Sequence, residues 1–558
     1  MRACANFYDG DRTLRCLIAR LAPDVIARDE ARLSAFGAWV AGEVDAQAEY
    51  TSRFAPPVLE VFDRDGGLVN RVRYNPLYAA AHREVYRHGI VGLNYGPEAR
   101  PFLLTFAFGY LLSQADIAIH CPATLTAAVA YVLDRHAPPS LRERHLPGLT
   151  RMDGAAATGA TWATEIAGGS DLGATTTLAQ RAADGWRLSG VKWFASNADC
   201  DLALATARPE GAPGGAKGLG LYLVPRRLGE GAPNAYRIRR LKEKLGTRGL
   251  ATGEIELEGA HAFAVAAPPD GIRAMMAALG FSRIHNAMSA AGVQRRALVE
   301  AVAHVAAREA FGRRLGAYPM VRDLVLDLAM QHEAGLALAF EAARAFDAAE
   351  ADEALRPLSR VATALAKYQT AEHAVIAASR AIEILGGNGY TEAFVTARLL
   401  RDGQVLSVWE GPTNIQALEL VRLMAPRYGG FEAFEARLDA LLAGACDSGL
   451  GDLARPVETA RGSIGEAVAA VRTDEAEGPR VARRLLDSMA ATVAAALLLD
   501  AAAADLAQGD GRKLVIARRY LRAMAPARLA RDSGETLAQR RFDEIVAGAP
   551  LDPAEARL

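Results

Sequence analysis

Cysteine is scarce in this chain and never paired. Five cysteines in 558 residues (Cys4, Cys16, Cys121, Cys200 and Cys446) are odd in number, scattered and free of any Cys-x-x-Cys motif. That argues against a disulfide framework or a cysteine zinc site and favours a reducing compartment. An excess of one charge is also missing. Lys and Arg total 64 against 65 Asp and Glu, so no global field draws the chain to nucleic acid or an anionic bilayer. Long hydrophobic runs are absent: the most apolar stretch, Ala490 to Leu499, is stopped by Asp500 and is too short to cross a bilayer. The first residues, Met1 to Asp9, lack the apolar core of a signal peptide. A cytoplasmic protein with no membrane partner is the expectation.

What is present is a hydrophobic fraction of 51%, enough to fill several cores in a chain this long. Residues 1–155 show mainly helical spacing, interrupted by the extended run Val58 to Asp63 and the turn Asp65-Gly66-Gly67. Residues 156–265 carry short β-like runs such as Gly220 to Val224. In Glu254-Ile255-Glu256-Leu257-Glu258 the alternation puts Ile255 and Leu257 on one face. Residues 266–428 return to helical period. Ile284, Met288, Ala291, Leu298, Val302 and Val305 form the apolar face, with Arg295, Arg296 and Glu300 off it. Abundant Ala there permits close packing of a bundle. After Pro426-Arg427-Tyr428-Gly429-Gly430, residues 429–558 form a helical extension. The expected fold is mainly α with a central β-barrel.

Common catalytic signatures are missing as well. No Gly-x-Gly-x-x-Gly follows a strand, and no Walker loop or Gly-x-Ser-x-Gly elbow occurs. His332-Glu333 lacks the second His of a zincin. Each of the ten histidines has a surface or core role as its default. One acid stands out. Glu410 lies in Val405-Leu406-Ser407-Val408-Trp409-Glu410-Gly411-Pro412, with no other charge between Asp402 and Glu419. Apolar surroundings disfavour its charged form and raise its pKa, which suits a proton-abstracting base. Gly411-Pro412 marks a turn.

Three distant segments accompany it. They are Thr164-Glu165-Ile166-Ala167-Gly168-Gly169-Ser170-Asp171 with Gly190 to Asn197, then Arg308-Glu309-Ala310-Phe311-Gly312, then Leu385-Gly386-Gly387-Asn388-Gly389-Tyr390 leading to Trp409-Glu410-Gly411. In this order and spacing they resemble the acyl-CoA dehydrogenase flavoproteins over about residues 75 to 425. The resemblance implies a helical domain, a β-barrel and a four-helix bundle, with FAD between barrel and bundle and reaching a neighbouring subunit of a homotetramer. It places Thr164, Gly168, Gly169 and Ser170 near the flavin, Phe194 against its ring where a Trp is usual, and Ala195 and Ser196 beside it. Arg308 and Phe311 would contact the adjacent subunit's FAD, and Gly386 and Gly387 would pass the pyrophosphate. Val408, Trp409, Gly411 and Asn414 (for a usual Gln) would line the flavin end. Ser170 and Arg283 would touch the acyl-CoA. Glu410 would be the base that takes the α-proton while the β-hydrogen leaves as hydride. An electron-transfer flavoprotein is the implied acceptor; oxygen as acceptor would make the chain an oxidase. Some branches place the base beside a bundle arginine, but the neighbour of Arg283 is Ser282.

The stretches Arg239 to Gly246, Val72-Arg73-Tyr74-Asn75-Pro76 and His120-Cys121-Pro122-Ala123-Thr124 are closer to the adaptive-response, AidB-like branch. So are Trp409 and Pro319. That branch implies an alternative: a DNA-associated protective flavoprotein with weak dehydrogenase activity. Arg512, Lys513, Arg518, Arg519, Arg522, Arg528 and Arg531 would give a basic face for double-stranded DNA, with Leu514, Ala517, Leu521 and Met524 buried behind it. Acids are at least as numerous as bases across 431–558, so an oligomer or pocket-capping role for the tail ranks above DNA binding.

Overall fold

The computed structural model describes residues 4–524 and 541. Two compact units divide the chain, 1–412 and 413–558. The first begins with helices α1 (Arg12–Leu21), α2 (Pro23–Trp39) and α3 (Asp45–Phe54), followed by the hairpin β1 (Val58–Phe62) and β2 (Leu68–Arg73). Helices α4 (Pro76–Arg87), α5 (Phe102–Ser113), α6 (Ile117–His136) and α7 (Pro139–Leu149) complete this region. Local chemistry sets their starts. The Asn75 side chain accepts from Tyr78 N with Pro76 in the first turn, and Asp116 accepts from Ala118 N. Helix α5 is apolar on every side because every residue of it is buried.

The barrel contains β3 (Gly159–Trp162), β4 (Leu178–Ala182), β5 (Gly185–Ser196), β6 (Leu202–Pro209), β7 (Gly220–Pro225), β8 (Tyr236–Leu241) and β9 (Thr252–Ala266). The order β6-β4-β5-β9-β7 closes on itself through the antiparallel β6–β7 pair. Strand β3 runs parallel to β6, and β8 pairs with β9. Ile255 and Leu257 face the barrel core as expected. Glu254 departs from simple alternation. It is buried because Arg240 Nε (2.8 Å) and Lys242 Nζ (2.5 Å) both reach its Oε1.

Helix α8 (Asp270–Ala307), the small ribbon β10 (Glu309–Ala310) and β11 (Arg313–Arg314), and helices α9 (Pro319–Ala351), α10 (Arg356–Leu385) and α11 (Val395–Gln404) form the bundle. Alanines 290, 297, 371, 374 and 378 sit in its core, so the small residues do bring helices close. Two residues of α8 contradict the single-face reading. Val302 is exposed, and Arg296 is buried. Arg296 bonds both Asp45 oxygens (3.0 Å each) and Glu300 (2.7 Å), because α8 is a central helix packed on several sides.

The second unit holds α12 (Thr413–Leu423), α13 (Gly430–Asp447), α14 (Gly451–Thr473), α15 (Glu477–Ala507) and α16 (Arg512–Ala523), with α15 touching each of the others. The apolar stretch 490–499 lies within this 31-residue α15, so the element itself is longer than the run seen in sequence. Helices α6 and α15 are long and apolar enough to cross a membrane, yet their apolar windows are 83% and 67% buried inside the protein. They are core helices.

Candidate active site

Glu410 sits just beyond α11, where a turn at Val405–Ser407 leads to Trp409 N bonding Val405 O at 3.0 Å. Its backbone is left-handed, with φ +58°, and Gly411 follows at φ +92°. A glutamate in that conformation carries strain of roughly 1–3 kcal/mol and stays there only if neighbours hold it. Two buried cations do so. Arg283 on α8 donates from Nε to the Glu410 carbonyl at 2.9 Å, and Lys367 on α10 donates from Nζ to the Gly411 carbonyl at 2.8 Å.

Burial pushes the Glu410 carboxyl up to about 7, with the charges of Arg283 and then Lys367 pulling the other way. Burial pulls Lys367 down to about 7; Arg283 lowers it further, while Glu410 opposes. The site is therefore poised near neutrality, where a base ionises and still binds a proton readily.

Glu410 and Trp409 line a pocket against α6 (Ile117, His120, Cys121, Thr124 and Leu125) and against Ser282, His285, Asn286 and Ser289 of α8. His120 Nδ1 lies 2.7 Å from Ser113 Oγ and 2.8 Å from Ser289 Oγ, and its Nε2 lies 3.0 Å from His285 Nδ1. Burial lowers His120 to about 3 and takes His285 well below its usual value, so both rings are neutral. Gly109 of α5 makes room for them, since a Cβ there would meet His120 Nε2 at 2.6 Å. Cys121 is also pushed up, to about 12, by burial and then by Glu410.

On the barrel, the loop 163–175 is tied to β5 by a buried ion pair. Lys192 Nζ lies 2.7 Å from Glu165 Oε1 and donates to Thr206 O. Glu165 also accepts from the backbone and hydroxyls of Thr176 and Thr177. Burial opposes its charge, but Lys192 and these donors win and hold it down at about 2. Trp193 N donates to Thr164 O at 2.9 Å, which ties Thr164 to the strand that carries Phe194, Ala195 and Ser196. Gly169 must lack a side chain, because a Cβ would meet Thr164 Oγ1 at 2.8 Å. Phe194 is 56% exposed on this ledge, and Lys242 Nζ stands 3.3 Å from the Trp193 ring centroid. Ser170 is exposed, and Ser196 Oγ lies 3.1 Å from Thr252 Oγ1.

Other expected residues lie elsewhere. Arg308 and Phe311 sit past the far end of α8. Arg308 is 25 residues from Arg283, about 37 Å along a helix. Phe311 is 97% exposed. Gly386 and Gly387 end α10, exposed, with φ +64° at Gly386. Asn414 is exposed in the first turn of α12, in the second unit.

Three family descriptions match the chain: the adaptive response protein AidB N-terminal domain over residues 2–153, the acyl-CoA dehydrogenase middle domain over 160–260, and the acyl-CoA dehydrogenase C-terminal domain over 269–424. The putative acyl-CoA dehydrogenase AidB of Escherichia coli K12 is 33% identical over 393 residues, 68% of this chain and 71% of the relative. The chain belongs to the acyl-CoA dehydrogenase family, in its AidB-like branch. Acyl-CoA dehydrogenase family member 11 of Caenorhabditis elegans is 30% identical over 541 residues, 92% of this chain and 87% of the relative. The crystal structure of C. elegans ACDH-11 in complex with C11-CoA superposes with TM-score 0.89 at 29% identity, covering 97% of this chain and 95% of that one. Butyryl-CoA dehydrogenase from Megasphaera elsdenii, 21% identical with TM-score 0.59, shares the fold.

Members of the acyl-CoA dehydrogenase family are FAD-dependent flavoproteins, and the ledge at 164–196 fits such a group. Its glycine backbone, small hydroxyls and exposed Phe194 offer close approach, hydrogen bonds and a flat apolar face. Lys367 and His285 were not singled out from the sequence, and His120 was quoted only as a mark of the branch, with no role at the site. A lone Lys between Ala366 and Tyr368, in a helix otherwise rich in Ala, was the available signal for the first.

Proposed function

We propose that this chain catalyses α,β-dehydrogenation of an acyl-CoA thioester with Glu410 as the α-proton base. The carrying observation is a buried carboxylate of near-neutral pKa in a pocket, its own and the following carbonyl pinned by two cations. Ionised Glu410 takes the proton from the carbon next to the thioester. Arg283 and Lys367 keep the turn from relaxing, so the carboxylate faces one position. Enclosure by α6 and α8 limits water around the developing negative charge. FAD, when bound, supplies the acceptor for the departing β-hydride. Thr164, Gly168, Gly169, Ser170, Phe194, Ala195 and Ser196 would hold it, with Val408, Trp409 and Gly411 at its reactive end.

A homotetramer completes the reading: Arg308 and Phe311 serve FAD of a neighbouring chain, and Gly386 and Gly387 pass a pyrophosphate. Acyl-CoA as ligand is supported by the C11-CoA complex of the C. elegans relative. The test replaces Glu410 with Gln. The yellow protein should keep its FAD and lose anaerobic bleaching by acyl-CoA; bleaching at the wild-type rate would remove Glu410 from the role. Peroxide release during turnover separates oxygen from an electron-transfer flavoprotein as acceptor.

A second reading is DNA association. Arg518 and Arg522 are exposed one turn apart on α16, over buried Ala517 and Leu521; Arg519, Leu514 and Met524 are half-buried. Arg528 and Arg531 lie outside the described residues. Salt-sensitive duplex binding, weakened by changing Arg518, Arg519 and Arg522 to Ala, is the expected outcome of this reading. Absence of binding at low salt ends it.

A further inference from the structure

Four polar atoms around the pocket beside Glu410 have no hydrogen-bond partner among the described residues: Ser282 Oγ, His285 Nε2, Asn286 Oδ1 and Trp409 Nε1. Three of them stand at i, i+3 and i+4 on one face of α8, on residues no more than 4% exposed. Buried polar atoms are rarely left unmet, and a group of them lining one pocket points to a ligand that meets them. The Asn286 amide is oriented by its own bond, Nδ2 donating to Leu406 O at 3.0 Å, so Oδ1 faces the need for a donor. The indole N–H of Trp409 can only donate, and needs an acceptor. His285 Nδ1 is already engaged by His120, which leaves Nε2 for the pocket. An unsubstituted alkyl chain would strand all four atoms. A hydroxyl donates and accepts at once, which is what Asn286 and Trp409 together require.

We propose that the acyl group held beside Glu410 carries a hydroxyl beyond its two reacting carbons, hydrogen-bonded by Asn286 Oδ1 and Trp409 Nε1, with Ser282 and His285 completing its surroundings. This inference rests on the dehydrogenase reading of the site. It narrows the substrate class from acyl-CoA in general to a hydroxyacyl-CoA.

The test measures calorimetric binding of S-butyl-CoA and S-(4-hydroxybutyl)-CoA to the FAD-loaded protein. These thioethers differ by one hydroxyl and lack the carbonyl needed for reaction. The hydroxylated probe should bind at least about tenfold tighter. The ratio should shrink to about twofold or less in Asn286→Leu and in Trp409→Phe, on the loss of one such bond. Using two variants guards against one of them failing to fold. Equal affinity in the wild type, as expected if water alone fills the pocket, overturns the proposal. A preference that persists in all folded variants also overturns it, since the hydroxyl would then bind elsewhere. Bleaching by a panel of acyl-CoAs is recorded on the same protein. Bleaching without hydroxyl preference leaves the dehydrogenase standing and removes only the hydroxyacyl assignment. No bleaching by any thioester removes both.

Discussion

Glu410 works against the stability of the chain that holds it. In the unfolded chain its carboxyl ionises near the ordinary 4.5, whereas in the fold burial lifts it to about 7. Between those values the folded chain keeps a proton that the unfolded chain has lost. Stability therefore falls as pH rises through that window, and the deficit persists above it. Glu410→Gln removes the deficit, so its stability should exceed that of wild type at pH 8 by on the order of a few kcal/mol, read as a higher thermal midpoint, and match it near pH 4.5. A lower midpoint at pH 8 would contradict the account. Lys367 makes the opposite contribution to the base, since its positive charge lowers the Glu410 pKa. Lys367→Met should shift the acid limb of the pH profile of flavin reduction upward, and slow reduction at pH 7 by about three- to tenfold. An unshifted profile with a uniformly slower rate would assign Lys367 a purely structural part. The raised pKa of Glu410 was legible in the sequence because its isolation is local, visible within one run of apolar residues, while its part as the base came from the resemblance. The places of Lys367, His120 and His285 were not legible, because they meet Glu410 only through helices that are distant in the chain.

Among the elements, the barrel and the loop before β5 show what patterning can and cannot convey. Alternation found Ile255 and Leu257, but not the buried Glu254, which is compensated by cations on a neighbouring strand and the loop after it. Helical period found the bundle, but set Arg296 off the apolar face although it is buried, because a central helix has no single buried face. The Glu165–Lys192 pair lay inside quoted segments whose chemistry was assigned to glycines and hydroxyls. It is this pair that fixes the loop carrying Thr164, Gly168, Gly169 and Ser170. Lys192→Met leaves a buried carboxylate without its cation and should cost about 3–5 kcal/mol, read as a fall in thermal midpoint together with faster FAD release. Glu165 is held at about 2, below its ordinary 4.5, so its stabilisation is present above pH 4.5 and is lost as pH falls toward 2. The deficit of Lys192→Met relative to wild type should accordingly narrow in acid. A deficit independent of pH would mean that lost packing, not lost pairing, is responsible.

At the scale of the whole molecule, the proposed homotetramer draws the groups expected around one flavin from more than one chain. Arg308 stands about 37 Å along α8 from Arg283, farther than one dinucleotide bridges, and its neighbour Phe311 is almost wholly exposed. Both facts agree with the proposed assembly, in which these residues complete a site on an adjacent chain. Complementation tests this directly. Arg308→Ala and Glu410→Gln chains carrying different tags are co-expressed, and mixed assemblies are isolated through both tags in succession. Each variant alone should fail to bleach with acyl-CoA, the first through weakened FAD binding and the second through loss of the base. If Arg308 acts across a symmetric interface, one pairing joins an intact Glu410 to an intact Arg308, and roughly half of the mixed sites recover. If Arg308 serves its own chain, every site in the mixture lacks one of the two groups. Flavin content and bleaching then stay at the level of the separate variants.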